Sequence, residues 1–191
     1  MKRSQLIAIG FITAACGWFA SSSSAQDIRQ PEMAVGYLNV LGTMHGGNAQ
    51  VVFPLGPRLG FVGEFDMSKG RDCSGCDPVY RDMAALVGVR FTWFGDRRVS
   101  PFSQVLFGGL HSQAAAYYVD DCCGLGRRYR PASTLDYAAV QPGGGVTVRL
   151  NRRLAIRAET DVQLGFPQQS GAEGYSIFPR AVAAVVIRLG K

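Results

Sequence analysis

The residues from Arg153 to Leu164, RLAIRAETDVQL, alternate. Leu154, Ile156, Ala158, Thr160, Val162 and Leu164 form an apolar or nearly apolar series. Arg157, Glu159, Asp161 and Gln163 stand between them. A period of two means an extended strand with one oily and one charged face. Other segments repeat it. In Arg58 to Met67, Leu59, Phe61, Phe65 and Met67 oppose Glu64 and Asp66. In ALVGVRFTW, Ala85, Val87, Val89, Phe91 and Trp93 oppose Gly88, Arg90 and Thr92. Further on, Val140, Val146, Val148 and Leu150 oppose Gln141, Thr147 and Arg149. In the last segment Ala181, Ala183, Val185 and Ile187 oppose Arg180 and Arg188.

After Gln26 no convincing amphipathic helix appears. Alternating segments and turn signals predict eight strands: Met33 to Leu41, Asn48 to Phe53, Arg58 to Met67, Arg81 to Phe94, Pro101 to Gln113, Tyr137 to Leu150, Leu154 to Gly165 and Ser176 to Leu189. Many of the 24 glycines fall inside these strands, among them Gly88, Gly108, Gly143 and Gly145. Interior glycine relieves crowding where a sheet curves tightly, which suits a small closed barrel.

The connections fall into two sets. Pro54 to Pro57, Gly95 to Val99 and Asn151 to Arg153 are short. Their alternates are Gly42 to Gly47, Ser68 to Tyr80, Ala114 to Asp136 and Phe166 to Tyr175, and all but the first are long. In an up-and-down barrel alternate connections emerge at the same end, so one rim carries tight turns and the other long loops. Bacterial outer-membrane barrels have this asymmetry.

Period two does not say which face is inside. A soluble barrel buries the apolar set; a membrane barrel inverts this, with a polar interior and an apolar outer band. Pooling the charged faces gives Glu64, Asp66, Arg90, Arg149, Arg157, Glu159, Asp161, Arg180 and Arg188. This set is nearly neutral, and arginine and carboxylate pair well in a narrow lumen. Aromatics near predicted strand ends (Phe91, Trp93, Phe94, Tyr117, Tyr118, Tyr137, Phe166, Tyr175 and Phe178) fit girdles at the membrane interfaces and also fit an ordinary sheet.

The N-terminus agrees with export. Lys2 and Arg3 precede an apolar run, Leu6 to Ala15, and a small-residue stretch ending Ser23-Ser24-Ala25. This reads as a signal peptide cleaved after Ala25 rather than a membrane anchor, for which the run is short. Thr13-Ala14-Ala15-Cys16 is a poor lipidation signal. The expected organisation is a signal peptide over 1–25, a short lead-in over 26–32 and a barrel over 33–191. Loss of Lys2 and Arg3 takes the 20 Lys and Arg to 18 against 14 acids, and the formal charge from +6 to +4. The basic residues do not cluster as in a nucleic-acid-binding protein. The densest run, Arg127-Arg128-Tyr129-Arg130, is expected in a polar loop, as a solvated run or as a surface contact.

Cys73, Cys76, Cys122 and Cys123 remain after cleavage. An exported protein permits disulfides. C-x-x-C beside a βαβ pattern would suggest redox chemistry, and two spaced pairs would suggest zinc. No βαβ pattern follows, and the second pair is vicinal, a poor chelate. Four cysteines allow three connectivities. Bridges between the two loops are preferred over a strained ring between neighbours.

The segments AVGYLNV, LGFVGEFDMS, ALVGVRFTW, VSPFSQVLFGGL, GGGVTVRLNRRLAIRAETDVQL and AVVIRLG, in this order and spacing, resemble small outer-membrane β-barrel proteins of the OmpA/OmpX-like kind. The resemblance spans the chain from about Met33 onward. It implies an all-β fold, an eight-stranded antiparallel up-and-down transmembrane β-barrel, in the outer membrane of a Gram-negative-type bacterium. It also implies outer-membrane lipid as surroundings and the barrel-assembly machinery as a partner during insertion. Many such proteins end in an aromatic residue used in assembly. This chain ends Arg188-Leu189-Gly190-Lys191, with Leu189 the available substitute. The family does not imply one activity.

Four functional classes follow. The first is a monomeric, non-enzymatic barrel with a salt-bridged lumen, disulfide-pinned outer loops and a surface role. Arg127, Arg128, Tyr129 and Arg130 would then meet lipopolysaccharide or another partner. The second is an outer-membrane lipid-modifying enzyme, for which His111-Ser112 beside Glu159 is the one tempting set. Neighbours on a strand point to opposite faces, so His111 and Ser112 are poorly placed to pair. The third is a soluble periplasmic lipocalin-like barrel with the faces reversed, and the fourth a narrow channel. The sequence shows no nucleotide loop, no convincing metal cluster and no catalytic triad, so no cofactor or metal is expected.

Overall fold

The computed structural model describes residues 30–40, 43–73, 76–94, 97–120, 127–168 and 174–189. The expected signal peptide, Cys122 and Cys123 lie outside the described residues. Ten strands run in chain order: β1 (Glu32–Val40), β2 (Met44–Pro54), β3 (Leu59–Cys73), β4 (Cys76–Thr92), β5 (Val99–Ala114), β6 (Tyr117–Asp120), β7 (Arg127–Arg130), β8 (Ser133–Arg149), β9 (Leu154–Pro167) and β10 (Ser176–Arg188). Eight close into a barrel in the order β1-β10-β9-β8-β5-β4-β3-β2, every pair antiparallel. β6 and β7 form a separate two-stranded sheet. Closure runs through β1 and β10, from Glu32↔Arg188 to Val40↔Arg180.

The eight barrel strands are those the alternation predicts, with one systematic difference. Two of the expected long loops are largely strand. β3 continues to Cys73 and β4 begins at Cys76, so Ser68 to Tyr80 is the upper part of a hairpin in which Cys73 opposes Cys76. Likewise β8 begins at Ser133, and β6 and β7 occupy much of the expected loop Ala114 to Asp136. The Arg127–Arg130 run is therefore strand β7 and not loop. The reason is physical: period two marks a strand when its faces meet different media. Beyond Met67 the sequence SKGRDCSGCDPVY carries no such alternation, and the backbone ladder goes on without it.

The turn rim is tightly tied. The Leu55 and Gly56 amides donate to the Leu59 carbonyl at 2.9 and 3.2 Å. Asn151 Oδ1 accepts from the Arg153 and Leu154 amides, both at 2.8 Å. Curvature draws neighbouring strands close on the inner face. A Cβ at Gly88 would stand 2.0 Å from the Val105 carbonyl oxygen, so no side chain fits there, whereas outward Gly63 has nothing within 4 Å.

The inner and outer faces of the barrel

The opening strand settles the orientation. In β9, Arg157, Glu159, Asp161 and Gln163 are buried, while Leu154, Ile156, Ala158, Thr160 and Val162 are exposed. Arg157 keeps 2% of its surface and Ile156 shows 48%. β3, β4, β8 and β10 repeat the inversion: Glu64, Asp66, Arg90 and Arg180 lie inside, and Phe61, Phe65, Val87, Val89, Val146, Val185 and Ile187 lie outside. The soluble lipocalin-like alternative needs the opposite arrangement and is excluded by it.

Eight strands enclose a lumen just wide enough for side chains to fill. At its middle Gln50 is a hub. Its Oε1 accepts from Arg90 Nη2 and Arg157 Nη1, both at 2.5 Å, and its Nε2 donates to Glu64 Oε2 at 2.6 Å. Glu64 Oε1 accepts from Gln141 Nε2 at 2.9 Å and from Arg180 Nη2 at 3.3 Å. Arg180 Nη2 also donates to Asp66 Oδ2 at 2.7 Å, and Asn48 Nδ2 holds the other Asp66 oxygen at 2.7 Å. Arg90 Nε donates to Gln104 Oε1 at 3.0 Å; Gln104 in turn donates to Glu159, whose other oxygen lies 3.5 Å from Arg90 Nη2. Glu32 joins Arg157 Nη2 at 2.8 Å and Arg188 Nε at 3.1 Å. The Arg90 guanidinium also lies 4.0 Å over the Phe102 ring, an attraction worth about 2 kcal/mol where water is excluded.

Of the nine charged positions the alternation singles out, the structure thus joins Glu64, Asp66, Arg90, Arg157, Glu159, Arg180 and Arg188 in this network. Asp161 is buried nearby, and neither of its oxygens has a hydrogen-bond partner among the described residues. Arg149 stands at the turn rim. The sequence reading misses Glu32, Asn48, Gln50 and Gln104. Their signal was parity alone: each shares the inward phase of its strand. The charges are also sorted along the axis. From turn end to loop end β9 presents Arg157, Glu159 and Asp161 in that order. Glu64 and Asp66 sit on the loop side with Arg180, while Arg90, Arg149, Arg157 and Arg188 gather toward the turns.

The interior is not wholly polar. Leu38, Val182 and Val186 pack in one buried cluster, and Val62, Leu86 and Leu106 in another. Tyr137 and Phe178 pack inward onto these clusters, edge to face with centroids 6.5 Å apart. They are not girdle residues; both sit at inward phase near the loop end. At the turn end Phe53, Trp93 and Phe94 are half exposed, as are Phe166 and Tyr175 at the loop end.

The candidate enzymatic set does not assemble. His111 faces outward, with Nδ1 2.5 Å from Asp136 Oδ1 and Nε2 2.9 Å from Gln113 Nε2. Glu159 lies in the lumen, and among the described residues no serine hydroxyl hydrogen-bonds to His111. His45 is likewise outside the lumen, hydrogen-bonded with Tyr37 and 3.1 Å from Asn39 Nδ2.

A closed eight-stranded barrel with charges inside and an apolar belt outside is a transmembrane β-barrel. Solved structures share this fold. Ail, the attachment invasion locus protein of Yersinia pestis, is similar at TM-score 0.54 and 13% identity, over 84% of this chain and 99% of that one. Neisserial surface protein A is similar at TM-score 0.53 and 12% identity, over 84% and 95%. Ail in complex with the heparin analogue sucrose octasulfate is similar at TM-score 0.53 and 13% identity, over 84% and 99%. No family model and no curated protein matches the chain. At these identities the likeness is one of fold.

Proposed function

We propose that the chain is an integral outer-membrane protein with a structural or surface-interaction role and no catalytic activity. The observation that carries this reading is the inverted burial along β9. A row of arginine and carboxylate side chains is inside, and the apolar row faces outward where only lipid suits it. The expected signal peptide, residues 1–25, supplies the export this location needs. The tight turns then face the periplasm, and the tall β3–β4 and β5–β8 ends face the outside. The packed middle of the lumen supports a closed barrel over a pore, and the barrel is expected to be a monomer. Enrichment in the outer-membrane fraction, with faster gel migration unboiled than boiled, is the expected result. Recovery in the soluble periplasm with no heat shift would overturn the reading.

The surface role is assigned to the loop end. Strand β7 carries Arg127, Arg128, Tyr129 and Arg130 together, and Tyr129 is exposed. A disulfide framework among Cys73, Cys76, Cys122 and Cys123 would pin this end. The Cys73↔Cys76 backbone pairing places two of the four at the tip of the β3–β4 hairpin. The chemistry that suits three arginines and a tyrosine is an anionic glycan, such as lipopolysaccharide. A fold neighbour seen with a heparin analogue lends this reading support. Replacing Arg127, Arg128 and Arg130 by glutamine is expected to weaken cell-surface retention on immobilised heparin at least tenfold and to flatten its salt dependence. Unchanged retention by a correctly inserted variant would remove the assignment.

A further inference from the structure

The turn end of the lumen opens into a cavity of about 270 Å³. Six arginines line it, Arg58, Arg90, Arg149, Arg152, Arg157 and Arg188, and Glu32 is the single acid among its lining residues. Four strands and two turns deliver these arginines. Arg90, Arg157 and Arg188 come from inward positions of β4, β9 and β10, Arg149 from the end of β8, and Arg58 and Arg152 from the turns. The one acid is already engaged, with its two oxygens on Arg157 and Arg188.

Two further features say that the positive charge is only partly balanced from within. Arg90 and Arg157 converge on one neutral oxygen, Gln50 Oε1. Two guanidinium groups aimed at a single amide oxygen repel each other, and each has one carboxylate within reach, Glu159 at 3.5 Å from Arg90 and Glu32 at 2.8 Å from Arg157. In addition Arg90 Nη1 is buried without a hydrogen-bond partner among the described residues. Buried guanidinium N–H groups find partners in folded proteins as a rule, so this donor can serve a group that enters the cavity. Of the deeper carboxylates only Glu159 reaches this group, at 3.5 Å from Arg90, while Glu64 and Asp66 are held by Arg180, so the six arginines meet two acids.

We propose that this cavity binds a phosphate oxyanion, one or two phosphoryl groups in size, presented from the turn side. Guanidinium groups match the geometry of phosphate oxygens with paired N–H donors. The cavity is too small for a polymer and too polar for an acyl chain. The site rests on the barrel's own geometry and not on the surface role assigned to β7. Its opening to the periplasm does rest on the orientation given above. A free phosphate compound and the headgroup of a phospholipid share the recognised chemistry.

The test is calorimetric titration of inorganic pyrophosphate into the mature chain in maltoside micelles, which carry no phosphate of their own. Expected is saturable binding at one per barrel, competed by sulfate and weakened at least tenfold in the R58Q/R152Q variant. Both residues lie in exposed turn positions, and a heat-shift gel verifies that the variant barrel is closed. The R127Q/R128Q/R130Q variant is expected to bind as the parent does. Phosphatidylglycerol added to the micelles distinguishes the sources. Undiminished pyrophosphate binding assigns the site to soluble phosphates, and displacement assigns it to a headgroup. No saturable binding, or equal affinity in R58Q/R152Q, overturns the proposal.

Discussion

Replacing Arg180 by methionine is expected to destabilise the barrel by about 3–5 kcal/mol, the usual cost of stranding a buried charge. Arg180 contacts two carboxylates that have almost no access to water, Asp66 at 2.7 Å and Glu64 at 3.3 Å. Methionine matches much of its length and none of its charge. The carboxylates would retain only neutral donors, Gln50 and Gln141 on Glu64 and Asn48 on Asp66. Removing the negative charges as well changes the outcome. The R180M/E64Q/D66N variant is expected to recover most of the loss, because well-packed neutral groups replace a buried ion cluster at little net cost. Urea unfolding in lipid vesicles followed by the fluorescence of Trp93 reads both variants. Loss below about 1 kcal/mol in R180M would mean that water reaches the network. The account of a sealed lumen would then fail.

The second large effect is on the opposite face. Val87 lies outward on β4, 52% exposed, between Gly63 and Phe107 of the flanking strands. Arginine there would meet hydrocarbon, and the expected cost is about 2–4 kcal/mol. The same substitution at Leu150, beside the turn and 53% exposed, is expected to cost about 0–1 kcal/mol, because a long side chain reaches the interface there. The two sites have equal exposure and differ only in depth. A soluble barrel would tolerate both substitutions alike. Equal, small losses in vesicle unfolding would therefore contradict a lipid-facing belt directly.

How far the sequence reveals this molecule depends on where charge falls. β3, β4, β8, β9 and β10 carry ionised residues at inward positions, and alternation exposes both their strand character and their two faces. β2 and β5 do not, and β1 has only Glu32, its first residue. Inside β2 stand Asn48, Gln50 and Val52, and inside β5 Phe102, Gln104 and Leu106. A neutral amide beside a phenylalanine leaves no contrast with an outward valine. Gln50 and Gln104 are thus hard to see, although they connect the arginines. Glu32 is hidden for another reason: its meaning depends on Arg157 and Arg188, which are far along the chain and adjacent only after closure. The arginine-lined mouth is invisible on the same ground. Its members are dispersed between Arg58 and Arg188, and only register assembles them. The β3–β4 extension shows the converse limit: SKGRDCSGCDPVY pairs as strand with no apolar row to mark it.

The seam between β1 and β10 has a consequence for the order in which this molecule is made. Glu32 and Arg188 are 156 residues apart, yet they form the ladder pair and the charge contact that shut the cylinder. Every other strand meets a partner already synthesised, whereas β1 must wait for β10. Until then it and its newest neighbour present open hydrogen-bonding edges, which invite pairing with other chains. Contacts of such range also make for slow folding. A chain of this design has to be held apart from its own kind for the whole of its passage to the membrane. The interval of greatest danger ends only when β10 arrives.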